Sequence, residues 1–246
     1  MRKAIGFYHV AMMCDWLSLL KTQVAKMKKS SLINSGRSGT ESLVYLCAVG
    51  PKEEYDKMPQ LHPRIIPTHI SDNLHDYEHP TIEALHQLSK KEDFYCFYFH
   101  TKGVSLPIYK DDENFLAERF HNKPKIIEKF GAPSYDQLSK NVFHWRLFLE
   151  YFTIQKWTDN VLFLERFDCV GPRWIKEGFP HFSGNFWWAN SEYLRTLESV
   201  YTFPFTQKDY RFRSEAWIGQ NPNVKVKSLS KLVMHYYKSF PPKVYK

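Results

Sequence analysis

The sequence predicts an α/β fold, a single domain with a mostly parallel central sheet flanked by helices. Three observations predict it. Strand-like and helix-like patterns alternate through the first hundred residues, and strand–helix–strand–strand–helix–strand is the order of a parallel sheet covered on both faces. The chain has 246 residues, enough for one substantial core rather than two full domains. Its composition, 43% hydrophobic and 17% aromatic, argues against disorder.

The elements follow in order. Lys3–Ala11 reads as a first strand and Cys14–Lys29 as a helix, with Leu17, Leu20, Val24 and Met27 at three-and-four spacing. The stretch 34–39 is a loop, and Gly36-Arg37-Ser38-Gly39 within it is a weak candidate for anion contact. Ser42–Val49 is a second strand stopped by Gly50-Pro51, and Arg64–His69 a third, interrupted by Pro67. Pro80 opens a helix through Leu88. Asp93–Phe99 is an aromatic strand closed by a His-Thr-Lys-Gly turn. Pro107–Asn122 is a charged connection suited to a mobile flap. Gln137–Trp157 reads as one long helix burying Val142, Trp145, Leu149 and Phe152, and Asp168–Val170 as a short strand ended by Gly171-Pro172. Within the single domain 1–246, residues 1–106 are expected to bind a nucleotide, 107–220 to shape an acceptor side, and 221–246 to form a basic tail.

Several function classes are disfavoured. There is no GxGxxG after the first strand, no GxxxxGK[ST] and no GxSxG. Cys14, Cys47, Cys96 and Cys169 are far apart and form no CxxC, so buried free thiols in a reducing compartment are expected. No apolar run is long enough for a membrane span, and the amino-terminal residues lack a secretory signal pattern, so a cytoplasmic setting is the expectation. The net charge is +8, and Lys225, Lys227, Lys231, Lys238, Lys243 and Lys246 lie in a stretch without an acidic residue. That tail suits weak contact with an anionic surface, or is only a solvated end; a nucleic-acid partner is disfavoured.

Two segments carry chemistry. In His181-Phe182-Ser183-Gly184-Asn185-Phe186-Trp187-Trp188-Ala189-Asn190-Ser191, two indoles and two amides flank a glycine. Read as a loop entering a Ser191–Leu197 helix, it cannot point both Trp187 and Trp188 into one core. At least one ring is then expected at a surface or cavity, where with Ser183 and Asn185 it would receive a sugar. The plainer reading is two core tryptophans either side of a turn. The second segment, His100-Thr101-Lys102-Gly103, sits at the carboxyl end of a strand, where open α/β sheets place ligands. Lys102 suits phosphate charge, Thr101 donates a hydrogen bond, Gly103 permits close backbone approach, and His100 donates to oxygen or binds a metal. His9, Met12 and Trp16 follow the first strand on the same edge, with Trp16 or Tyr8 placed to stack on a base and core packing the rival reading. Further on, Ser214 suits a helix cap before Glu215, whose carboxylate is a candidate base. An Arg213–Glu215 structural pair is the plainer alternative.

Together these segments resemble a family of small GT-A-type glycosyltransferases of bacteria and large algal viruses. The matching pieces are residues 5–10, 77–82, 98–103, 168–171 and 181–190, with a weaker match at 215–218. The resemblance implies a GT-A-like domain, a nucleotide-sugar donor, a glycan acceptor and transfer to a hydroxyl, in a bacterial or virus-infected cell. His9 and Glu78 would face the nucleotide, together with His100, Thr101, Lys102, Gly103 and Arg213. His100, Thr101 and Lys102 stand where many such enzymes carry an Asp-x-Asp metal motif, which puts a Mn²⁺ or Mg²⁺ requirement in doubt. Lys102 would neutralise the diphosphate directly, or a metal would bind through His100 and the distant His235. Glu215 is the expected base of an inverting displacement, with Asp209 and Glu192 as competitors, and Lys102, Arg211 or Arg213 would stabilise the leaving diphosphate. The reading requires a cationic cradle opening onto an indole-lined floor. A non-catalytic carbohydrate-binding module and a nucleotide-sugar hydrolase are the alternatives.

Overall fold

A computed structural model describes residues 2–33, 42–105, 135–206, 210–235 and 238–246. The 34–39 loop, the whole 107–122 connection and Asp209 lie outside the described residues. The strands are β1 (Ala4–Ala11), β2 (Ser42–Val49), β3 (Ile65–Ser71), β4 (Tyr95–His100), β5 (Cys169–Gly171), β6 (Trp174–Ile175), β7 (His181–Phe182), β8 (Trp187–Asn190) and β9 (Val226–Ser228). Seven of them form one sheet in the order β3-β2-β1-β4-β8-β5-β9, and β6 pairs with β7 in a separate hairpin. In the large sheet only β8 runs against its neighbours, antiparallel to both β4 and β5. A mixed α/β domain with a mostly parallel sheet flanked by helices is therefore what the chain forms. Pro67 is tolerated because β3 is an edge strand, where a missing N–H costs no inner ladder bond.

The sheet separates two apolar layers. On one face Tyr8, Phe97, Phe99 and Trp188 pack with α1 (Trp16–Lys29) and α4 (Tyr135–Glu150). On the other, Ile5, Phe7, Tyr98 and Trp187 pack with α3 (His79–Ser89) and the segment 193–203. Between α1 and α3 lies the short α2 (Lys52–Tyr55). Alternation along β1, β4 and β8 sends successive side chains to opposite layers. The carboxyl-terminal stretch is part of this fold: β9 extends the sheet, Met234 is buried, and Leu229, Leu232, Phe240 and Tyr245 pack on the first layer. No described helix is long and apolar enough to cross a membrane, and the four cysteines are free thiols, three of them buried.

Three local expectations are corrected. The long helix is broken: α4 ends at Glu150, a π turn covers Tyr151–Gln155, and α5 runs Trp157–Phe163. The cause is visible in the carbonyls of that turn. Phe152 O accepts from Asn160 Nδ2 at 2.7 Å and Thr153 O from Trp188 Nε1 at 2.8 Å, which draws both out of the ordinary helical ladder. The 181–191 segment is not a loop but β7, a tight turn and β8, followed by the four-residue α6 (Ser191–Leu194). Ser214 does not cap a helix; it lies inside α7 (Phe212–Ala216) with its hydroxyl buried and unbonded among the described residues.

Candidate functional site

The strand order turns back at β1. From β3 at the edge, the chain crosses to β4 on the far side of β1, so a crevice opens at the carboxyl ends of β1 and β4. His9 and His100 face each other there in register. A cavity of about 560 Å³ occupies the crevice. His9, Glu78, His100, Thr101, Lys102, Gly103, Arg211 and Glu215 all line it, with Tyr77, Trp145 and Phe212. Residues of both halves of the chain thus meet around one space.

The β1 and β4 ends are tied together before any ligand arrives. Thr101 donates its N–H to the His9 carbonyl, and its hydroxyl accepts from Ala11 N–H, both at 3.1 Å. Gly103 has a φ of +78°, and an added Cβ would lie 2.3 Å from Val142 of α4, so close packing requires glycine here. Behind the crevice a buried polar network braces the same strand end. Tyr8 donates to Gln23 at 2.5 Å, and Gln23 donates to Glu150 at 2.7 Å. The fully buried Glu150 is also paired with Lys26. Arg146, close to Glu150, donates to the Lys102 carbonyl at 3.3 Å. Burial without such partners would cost a carboxylate several kcal/mol.

Both histidines are neutral at pH 7. Burial pushes His9 down to about 4, and burial followed by the Lys102 charge pushes His100 down to about 3. His9 Nδ1 bonds the Thr81 hydroxyl at 2.9 Å. His100 Nε2–H donates to the Gly184 carbonyl at 2.8 Å, which fixes its tautomer. The Lys102 ammonium sits 4.6 Å from the centre of the Trp145 ring, a cation over an indole face. Glu78 lies at the start of α3, and its Oε2 accepts from Tyr98 OH and Asn185 Nδ2, both at 2.6 Å. Glu215 has no hydrogen bond or ion pair among the described residues. Left-handed backbone gathers here: Tyr77, which precedes Glu78, has a φ of +51° and Asn185 +56°, beside Gly184 at +69°, a conformation glycine adopts without strain.

The aromatic motif sits behind this wall rather than on it. Trp187 and Trp188 are both fully buried, one in each layer of the core, so neither ring lines the cavity. Strand geometry is the reason, because adjacent residues on β8 face opposite ways. Ser183 and Asn185 are buried too. Their polar atoms instead hold residues that line the space. Ser183 Oγ accepts from the Trp145 indole at 3.3 Å, the Gly184 carbonyl holds His100, and Asn185 holds Glu78. The indole facing the cavity is Trp145, which helical spacing marks only as core; nothing in the sequence singles it out.

Other expected residues lie elsewhere. Arg213 does not line the cavity; it donates to the Phe203 carbonyl at 2.6 Å and lies over the Phe203 ring, and it forms no pair with Glu215. Glu192 is paired with Arg2 and is absent from the lining. Tyr8 and Trp16 are core residues, so neither ring is presented to a base. For a divalent ion the fit is poor. His235 does not line the cavity, His100 Nε2 is already bonded, and no group of three His, Cys, Asp or Glu among the described residues is arranged to hold a metal. Compared with protein-family models, curated proteins and solved structures, the chain finds no match.

Proposed function

We propose that this protein is a GT-A-like glycosyltransferase, moving a sugar from a nucleotide-sugar donor to a hydroxyl of a carbohydrate acceptor by an inverting displacement. One observation carries the reading. A single cavity at the switch point of the sheet has Lys102 and Arg211 for an anion, and Glu78, Glu215 and two neutral imidazoles for hydroxyls. The two main segments behind the family resemblance, 98–103 and 181–190, meet at this same wall, the second through Ser183, Gly184 and Asn185.

In the proposed reaction the acceptor hydroxyl oxygen attacks the anomeric carbon. The bond from that carbon to the phosphate oxygen breaks, and its electron pair leaves with the nucleoside diphosphate. Glu215 takes the hydroxyl proton, and Lys102 with Arg211 offsets the charge that grows on the diphosphate. No step is assigned to a metal. Burial of Trp187 and Trp188 leaves Trp145, Tyr77 and Phe212 as the aromatic side chains that would meet a sugar ring.

The test is calorimetric titration with a panel of nucleotide sugars, with and without Mn²⁺, followed by transfer assays. Saturable binding by the wild type, weakened in Lys102→Ala, is the expected result. Glu215→Gln is expected to keep donor binding and lose about a hundredfold or more in transfer. Donor breakdown without transfer to any acceptor would favour a nucleotide-sugar hydrolase. Binding of no activated sugar would end the proposal.

A further inference from the structure

We propose that Asn185 is a positioning residue: it fixes Glu78 so that one oxygen, Oε1, is offered to a hydroxyl group of the cavity's ligand. The geometric half of this inference stands by itself, whereas the ligand half rests on the reading of the cavity as a sugar-donor site.

Hydrogen-bond chemistry sets the direction of the chain of contacts. The Trp187 indole N–H can only donate, and it donates to Asn185 Oδ1 at 2.8 Å. The amide nitrogen of Asn185 must therefore face Glu78, whose Oε2 it reaches at 2.6 Å. Tyr98 OH delivers a second hydrogen bond to the same oxygen. Glu78 Oε1 is left 3.8 Å from His100 Nε2, whose proton goes to the Gly184 carbonyl instead. No hydrogen bond reaches Oε1 among the described residues, although Glu78 is largely buried and lines the cavity. A carboxylate oxygen in that setting calls for a donor, and a ligand hydroxyl supplies one. Asn185 holds its place through a left-handed φ of +56°, a conformation that Asn and Asp tolerate better than most residues. The titratable and charged groups around Glu78 are Tyr98 and His100 on β4, His9 on β1 and His79 on α3. Glu215 and Lys102 act on them from α7 and the β4 turn.

Two near-isosteric variants and their combination test the inference. Asn185→Asp keeps the Trp187 contact and sets a carboxyl group against Glu78, so the pair shares one proton. That proton is held more tightly in the folded state, so this variant's loss of stability relative to wild type should widen as pH rises from 5 to 8. Adding Glu78→Gln returns an amide donor to face the Asp, and the pH-dependent loss should disappear. Glu78→Gln alone lets its carbonyl accept from both Tyr98 and Asn185, and turns its NH₂ toward the cavity. It should melt near wild type, yet weaken calorimetric binding of uridine- and guanosine-diphosphate hexoses by about tenfold or more. A purely structural Glu78 would leave that binding unchanged.

Parallel melting of Asn185→Asp and wild type at every pH would overturn the positioning role, whatever binds. Should the Asp variant not fold, Glu78→Gln carries the test, and wild-type binding by it would equally overturn the inference. Coupling between the two positions in a protein that binds no nucleotide sugar would support the geometric half, and would overturn both the ligand half and the transfer reading.

Discussion

The two sequence motifs converge on one cavity and serve it in opposite ways. The turn His100–Gly103 lines the space with its own atoms, and its lysine rests over Trp145. The stretch 183–188 is buried, and acts through hydrogen bonds to Trp145, His100 and Glu78. The difference teaches that an unusual run of aromatics and amides can mark a cavity without lining it. Strand pairing places the indoles in the core, and Ser183, Gly184 and Asn185 just ahead of them hold the wall.

The contrast is broken most severely on the buried side. Trp188 is fully buried, stacks on Phe97 at 4.7 Å and donates to the π turn. Trp188→Ala should destabilise the fold by about 3–5 kcal/mol in urea unfolding. A much smaller loss would mean that the ring is not a core residue.

Acidification attacks the wall itself. His9 and His100 have folded pKa values of about 4 and about 3, below the ordinary 6.5 of the unfolded chain. The unfolded state therefore binds protons first. Stability should be full above about pH 6.5 and fall progressively below it, with His9 alone contributing about 3 kcal/mol of that loss. Thermal melts between pH 7 and 4 check the sign, and His9→Gln should flatten the slope.

Gly103→Ala comes next, with a left-handed φ and a 2.3 Å approach to Val142. A loss of about 1–3 kcal/mol, measured by chemical unfolding, is expected. The lining side should show the smallest effect on folding. Lys102→Ala removes a cation from over an indole and should cost about 0.5–1 kcal/mol, while binding of the proposed nucleotide-sugar donor falls sharply. A large stability loss there would erase the distinction between lining and support.

The parallel half of the sheet was legible because its signals are local: the apolar run of β2 and Pro80 in the first turn of α3, whereas Pro67 read only as an interruption and the edge position that accommodates it came from the strand order. That His9, Lys102 and Glu215 would come together was legible from strand ends and charged side chains, whereas Glu78, which lines the same cavity, was expected there only from the family resemblance. The reversed β8 was not, since four residues carry too short a pattern to separate strand from loop. Trp145 was hidden for a different reason. Helical spacing assigns it to the buried stripe, and only the Lys102 turn folding across α4 makes its ring a cavity wall. Arg213 was misread because nearness in sequence to Glu215 says nothing about the Phe203 carbonyl that holds it.

The tandem indoles of β8 pose a problem of alignment. A slip of one residue against β4 would put one tryptophan where the other belongs, so bulk and apolarity alone barely distinguish the two pairings. Asparagines stand near both ends of the strand and resolve the ambiguity. Asn185 is pegged to Glu78 before it, and Asn190 to the carbonyls of Leu164 and Phe167 at its end. A displaced pairing would strand both amides, so the contact that shapes the cavity also tells the chain where to stop sliding.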